Sequence, residues 1–217
     1  NPVLRFFTGF FVMTVCPHLA ITMGDPAGIG PEIIVKACRA LLPRIEAGTL
    51  KLLVIGDVGA LRQAEAQLGA PVMAETTENA DWPGLACLQA GPRRGVIVQG
   101  QIGPEGGRMA FLAIEKAAAF ASAGRIQGLV TAPLNKEALN LAGYHYAGHT
   151  ELLAELTGVK SSVMMLAHGN MNVSHVTTHC ALEDVPRRMT PERIRRVIDL
   201  THAAMKRLGK ANPRIAI

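Results

Sequence analysis

A chain of 217 residues with 49% hydrophobic side chains can bury a substantial core in one or two domains, and nothing in its composition marks disorder. A formal charge of +5, only 4% aromatic residues and no aromatic-interleaved basic stretch argue against a nucleic-acid platform. Cys16, Cys38, Cys87 and Cys180 are dispersed with no C-x-x-C pair, which argues against a zinc knuckle or dense disulfide framework and points to a reducing, cytoplasmic home.

Residues 1–12, NPVLRFFTGFFV, carry four of the six Phe but form an apolar run too short for a membrane span. They read as an upstream or non-native extension, with Met13 as the expected start, and no transmembrane helix is expected anywhere. Leu19 to Met23 is a short apolar strand, followed by the loop GDPAGIG and a helix that Pro31 opens. Gly24, Gly28 and Gly30 give this joint its backbone freedom, and unpaired amides at such a helix start favour anions. Its glycine spacing fits neither G-x-G-x-x-G nor a P-loop.

Lys51 to Gly56 is a second strand; Asp57 can cap a helix from Val58 to Leu68 that Gly69 ends. Weaker strands at Leu85 to Leu88 and Val96 to Val98 precede a helix from about Glu105 to Ala123, closed by Gly124. A strand at Ile126 to Thr131, short helices at Leu134 to Leu141 and Glu151 to Leu156, and strands at Ser162 to Ala167 and Met171 to Thr178 come next. Thr190-Pro191-Glu192 starts a final helix that runs to Gly209; the cluster Arg187, Arg188, Arg193, Arg195 and Arg196 reads as a solvated face. Arg214 to Ile217 begins another apolar strand, so the chain reads as cut off there. This alternation predicts an α/β fold with mostly parallel sheets flanked by helices, with ligand sites beyond the carboxyl ends of the strands.

Taken in order, GDPAGIGPE, VTAPLNK (Val130 to Lys136), AGHTELLAELTG (Ala147 to Gly158) and MMLAHGNMNVSHVTTH (Met164 to His179) resemble the 4-hydroxythreonine-4-phosphate dehydrogenases of vitamin B6 synthesis and their paralogues acting on phosphorylated sugar acids. The resemblance runs from about Leu19 to Ile217. It implies a two-domain architecture like that of isocitrate and isopropylmalate dehydrogenases, with the C-terminal part missing: residues 13–125 as an incomplete cofactor-side domain and 126–217 as a truncated substrate and metal side. It also implies NAD or NADP, a divalent metal (zinc, magnesium or cobalt), and a homodimer whose active site is built across the interface, with neither nucleic acid nor membrane as a partner.

The implied reaction oxidises 4-phosphooxy-L-threonine to 2-amino-3-oxo-4-phosphooxybutanoate, which loses carbon dioxide to give 3-amino-2-oxopropyl phosphate. The alternatives are a dehydrogenase of D-threonate or D-erythronate 4-phosphate and a non-catalytic phospholigand-binding fragment. From the residues alone, Thr150 can cap the helix at 151 while His149 faces the space before it, where a phosphate would suit; the resemblance makes both substrate contacts. It makes His179, expected at the end of the strand, a metal ligand that would stabilise the charge on an alcohol losing its proton. His175 has the same strand parity but reads as structural. Gly28 and Gly30 are cofactor-side candidates, and Lys136, in the TAPLNK turn, is a weak catalytic candidate.

Overall fold

In the computed structural model the described residues are 16–69, 73–92, 97–146, 148–169 and 171–217. The expected extension at residues 1–12 lies outside them. Two compact units are formed, the first extending through Thr157 and the second spanning Gly158–Ile217.

In the first unit, β1 (His18–Thr22), α1 (Gly30–Glu46), β2 (Lys51–Gly56), α2 (Val58–Leu68), β3 (Ala74–Thr76), β4 (Leu85–Gln89), α3 (Pro104–Ser122), β5 (Gly128–Thr131), α4 (Lys136–Leu141) and α5 (His149–Leu156) follow one another. The five strands form one sheet in the order β3-β4-β2-β1-β5, and every pair is parallel. β1 lies between β2 and the edge strand β5, with Ala20 opposite Leu53 on one side and Leu129 on the other.

The sheet is covered on both faces, which is why β1 and β2 read as unbroken apolar runs. Side chains alternate across a strand. Ile21, Met23, Leu52 and Val54 therefore pack with Ile34, Val35 and Cys38 of α1 and Leu61 of α2. Ala20, Leu53 and Ile55 pack with Met109, Ala113, Ala117 and Phe120 of α3. The Asp57 carboxylate accepts from the Ala60 amide at 2.8 Å and Gly69 closes α2 in the left-handed region at φ 55°, as expected.

β5 pairs with β1, so it completes the first sheet and does not open a second domain; the compact units divide between Thr157 and Gly158, later than residue 125. Residues 97 and 98 are not in a strand, and position 96 lies outside the described residues.

The second unit holds a two-stranded antiparallel hairpin, β6 (Met165–His168) and β7 (Met171–Ser174), a 3-10 turn at Leu182–Asp184, and helices α6 (Val185–Arg188) and α7 (Pro191–Arg207). The parallel sheet is confined to the first unit, and Arg214 to Ile217 carry no strand. Thr190 caps α7 by accepting from the Arg193 amide, and Thr201 donates to or accepts from the Ser174 hydroxyl at 2.7 Å, joining α7 to β7.

Candidate functional site

The chain leaves β1 toward β2 on one side and returns as β5 on the other, so the carboxyl ends of β1 and β5 flank the topological switch point of the sheet, where open α/β folds place their ligands. Two of the motif loops meet there. The Asp25 amide donates to the Pro133 carbonyl at 3.1 Å. Gly24 lies so close to this turn that a Cβ on it would sit 2.1 Å from the Pro133 oxygen; with φ at 70°, only glycine fits.

The third motif reaches the same place through α5. Phe111 of α3 stacks on Tyr144 with ring centroids 3.7 Å apart, the Tyr146 hydroxyl donates to Glu155 at 3.0 Å, and Leu152 is fully buried; together they hold the start of α5 beside α3. His149 is the first residue of this helix and is half-buried. Its pKa is held below the ordinary imidazole value by burial, opposed by a hydrogen bond to the backbone of Ala132. A backbone contact that favours the protonated ring means that the ring donates to the Ala132 carbonyl. Nε2 is buried and has no partner among the described residues, leaving a polar atom that a ligand could satisfy.

Thr150 does not cap α5. Gly148 occupies the cap position and Thr150 is an exposed second residue of the helix, so the helix begins two residues earlier than expected. Ala147 of the motif lies outside the described residues. Lys136 is the first residue of α4 and is exposed, and Asn135 caps that helix by accepting from the Ala138 amide at 3.0 Å.

The glycine loop differs from an open anion cradle. The Gly28 amide donates to the Asp25 carbonyl at 3.0 Å and the Ala27 amide to Asp25 Oδ1 at 2.9 Å, so both are committed within the loop. Gly28 sits on its exposed lip, whereas Gly30 is buried, and a Cβ there would meet the Met23 carbonyl oxygen at 2.0 Å. Gly30 thus has a packing role. The sequence leaves Asp25, at the edge of the glycine loop, open to serving a cofactor hydroxyl or capping amides; in the fold it is only 5% exposed. Burial pushes its carboxyl above the ordinary aspartate value, and the Ala27 amide offsets part of that.

In the second unit, β7 ends at Ser174, so His179 lies in a bend beyond the strand rather than at its end. It is exposed and adopts φ 51°, the one non-glycine with positive φ among the described residues. Such strain persists where the surroundings impose it and is common at functional positions. Part of the support comes from Arg193: its Nε donates to the Val176 carbonyl at 2.9 Å and its Nη1 to the Ser162 carbonyl at 3.2 Å. This arginine therefore departs from the solvated face expected of the cluster. The His175 amide donates to the Met164 carbonyl at 3.0 Å, so its backbone continues the pairing of the hairpin by one bond past Ser174.

Among the described residues, no three His, Cys, Asp or Glu side chains are grouped to hold a metal ion. A protein-held divalent cation needs several donors, and His179 supplies one exposed imidazole, so these residues alone do not fit the metal. A groove of about 780 Å³ in the second unit is lined mainly by apolar side chains, among them Met171, Val173, Ile194, Val197 and Ile198, with Lys210 and Arg214 as its charged ones. No helix among the described residues is long and apolar enough to cross a membrane.

Residues 49–217 match the family model for pyridoxal phosphate biosynthetic protein PdxA. A Bradyrhizobium diazoefficiens protein provisionally named D-threonate 4-phosphate dehydrogenase is 59% identical over 92% of this chain and 59% of its own length. A Geobacter metallireducens protein named 4-hydroxythreonine-4-phosphate dehydrogenase is 38% identical, over 93% and 60% of the two chains. The chain thus spans about three-fifths of the length of these curated relatives. The crystal structure of a 4-hydroxythreonine-4-phosphate dehydrogenase from Burkholderia phymatum superposes with a TM-score of 0.80 at 36% identity, covering 91% of this chain and 61% of that one. With the family model spanning well over half of its residues, the chain belongs to the PdxA family of dehydrogenases.

Proposed function

We propose that the full-length protein is an NAD- or NADP-linked dehydrogenase of a four-carbon 3-hydroxy acid phosphorylated at C4. The observation that carries this reading is the meeting of the glycine loop, the Ala132–Pro133 turn and the His149 imidazole at the sheet's switch point. His149, kept neutral by burial, contacts the substrate by hydrogen bonding, and Thr150, exposed on the first turn of α5, adds its hydroxyl. A nicotinamide cofactor, when bound, accepts the hydride of the oxidised alcohol. The Gly28 lip is the part of the loop left open to it, while Gly30 contributes by letting α1 pack close to Met23. Lys136, exposed at the start of α4, meets an anionic group of the substrate in this reading.

Oxidation at C3 puts a ketone β to the carboxylate, and such an acid loses carbon dioxide. D-Threonate 4-phosphate is the preferred substrate, since the relative carrying that name is 59% identical and the one named for 4-hydroxythreonine 4-phosphate is 38% identical. 4-Phosphooxy-L-threonine, which differs in carrying a 2-amino group, is the second reading. In this reading His179 is one donor to a divalent ion (zinc, magnesium or cobalt), and the described residues alone do not gather the three or more donors that would complete its site. The homodimer, with its interface active site, is part of the same proposal.

A competition assay on the full-length protein tests this. Higher kcat/KM with D-threonate 4-phosphate supports the first reading, and preference for the amino acid substrate supports the second. Absence of cofactor reduction with either substrate would favour a non-catalytic phospholigand-binding protein.

A further inference from the structure

The carboxylate of Asp25 has no role in the proposed chemistry, yet it is buried at the crossing of three segments. Oδ1 accepts the Ala27 amide, closing a turn of the kind in which an aspartate side chain caps the backbone two residues on. On its other side lies the start of α3: a Cβ added to Gly106 would come within 2.4 Å of Oδ1 and 3.3 Å of Oδ2. The backbone of the same residue ties down the next loop, with the Asp25 amide on the Pro133 carbonyl, and the preceding residue, Ala132, accepts the His149 ring. The loop has little slack elsewhere, because the Gly100 amide donates to Ala27 at 2.7 Å and Gln99 Nε2 to Pro26 at 3.2 Å.

We propose that Asp25 is a positioning residue for His149: by fixing the turn against α3, its side chain sets the direction of its own amide, which holds the Pro133 carbonyl and with it the place of the adjoining Ala132 carbonyl on which the imidazole rests. This extends the reading of His149 as a substrate contact and rests on it. Asp25 touches neither substrate nor cofactor in this scheme. The side chain acts as an acceptor of fixed length, which asparagine can reproduce and alanine cannot. Without the acceptor, the Ala27 amide is left unpaired at a buried position and the loop must rearrange.

The test uses the full-length protein with ¹³C-labelled histidine, reading the His149 ring resonances and their titration together with KM and kcat for D-threonate 4-phosphate. Asp25→Ala is expected to shift the His149 resonances, move its titration toward that of an ordinary imidazole, and raise KM roughly tenfold with a smaller change in kcat. Asp25→Asn is expected to leave His149 and KM close to wild type. Unchanged His149 resonances in Asp25→Ala, or an Asn variant as perturbed as the Ala variant, would overturn the proposal. Should Asp25→Ala not fold, Gly106→Ala forces a methyl onto the carboxylate and must displace the His149 resonances; if they stay in place, the proposal fails. His149→Ala with unchanged KM would instead remove the substrate reading, while the resonances in the Asp25 variants would still decide whether Asp25 positions the ring.

Discussion

The His149 imidazole donates to the backbone carbonyl of Ala132, so the start of α5 is tied to the residue that directly follows β5. That contact distinguishes the two neighbours His149 and Thr150, which the sequence alone treats as a pair.

The first prediction follows from this difference. His149→Ala in the full-length protein should raise KM for the phosphorylated substrate by roughly tenfold or more while leaving metal affinity intact, because the lost contact is to substrate. Thr150→Ala should change stability by less than about 0.5 kcal/mol, since Thr150 is exposed and Gly148 holds the cap position. A stability loss near the 1 kcal/mol typical of a removed cap would contradict the assignment of Gly148. Steady-state kinetics and denaturant titration of the two variants read both quantities.

The second concerns pH. Burial lowers the pKa of His149 in the folded chain from an unfolded value of 6.5. Between the two values the unfolded chain binds more protons, so stability rises with pH through that window. The contribution is complete above the unfolded value and is lost as pH falls toward the folded one. The melting temperature of the wild type should therefore fall more steeply on acidification below about pH 6.5 than that of His149→Gln. Parallel curves for the two proteins would show that the ring is not desolvated as described.

Much of the first unit could be read from sequence because its signals are local. Lys51–Gly56 is an apolar run closed by Gly56, and α2 has Asp57 at one end and Gly69 at the other. β3 escaped notice because Ala74–Thr76 is three residues long and is held only by pairing with β4 at the sheet edge. The strands expected at 162–167 and 171–178 were placed too generously because β-branched and apolar residues continue past the point where hairpin pairing stops. Asp25 illustrates a different limit. In sequence it flanks the glycine loop with a cofactor contact and an amide cap both open, and its close packing against Gly106 of α3, far along the chain, is a contact that no local pattern reveals.

The third prediction uses the opposite shift at Asp25. Burial raises its pKa above the unfolded 3.8, so the folded chain holds the proton more tightly. The stabilisation this gives is complete below the unfolded value and is lost as pH rises through the folded one, leaving the ionised carboxylate unfavourable at neutral pH. Asp25→Asn keeps the acceptor for Ala27 without the charge, and its melting temperature at pH 7 should be no lower than that of the wild type. Asp25→Ala should be less stable than both. An Asn variant that melts well below the wild type would mean that the carboxylate is stabilised by its surroundings.

The last prediction sets stability against function at His179. A non-glycine residue in the left-handed region costs about 1 kcal/mol relative to glycine, and His179 is held there at φ 51°. His179→Gly should therefore be more stable than His179→Ala by about that amount in denaturant titrations. Both variants of the full-length protein should lose affinity for the divalent ion equally, because each removes the imidazole, whereas His175→Ala should bind it like the wild type. If His179→Gly gains no stability over His179→Ala, the backbone is not strained at this position. If both variants bind metal as the wild type does, His179 is not a ligand, and its conformation serves only the turn that Arg193 clamps at Val176.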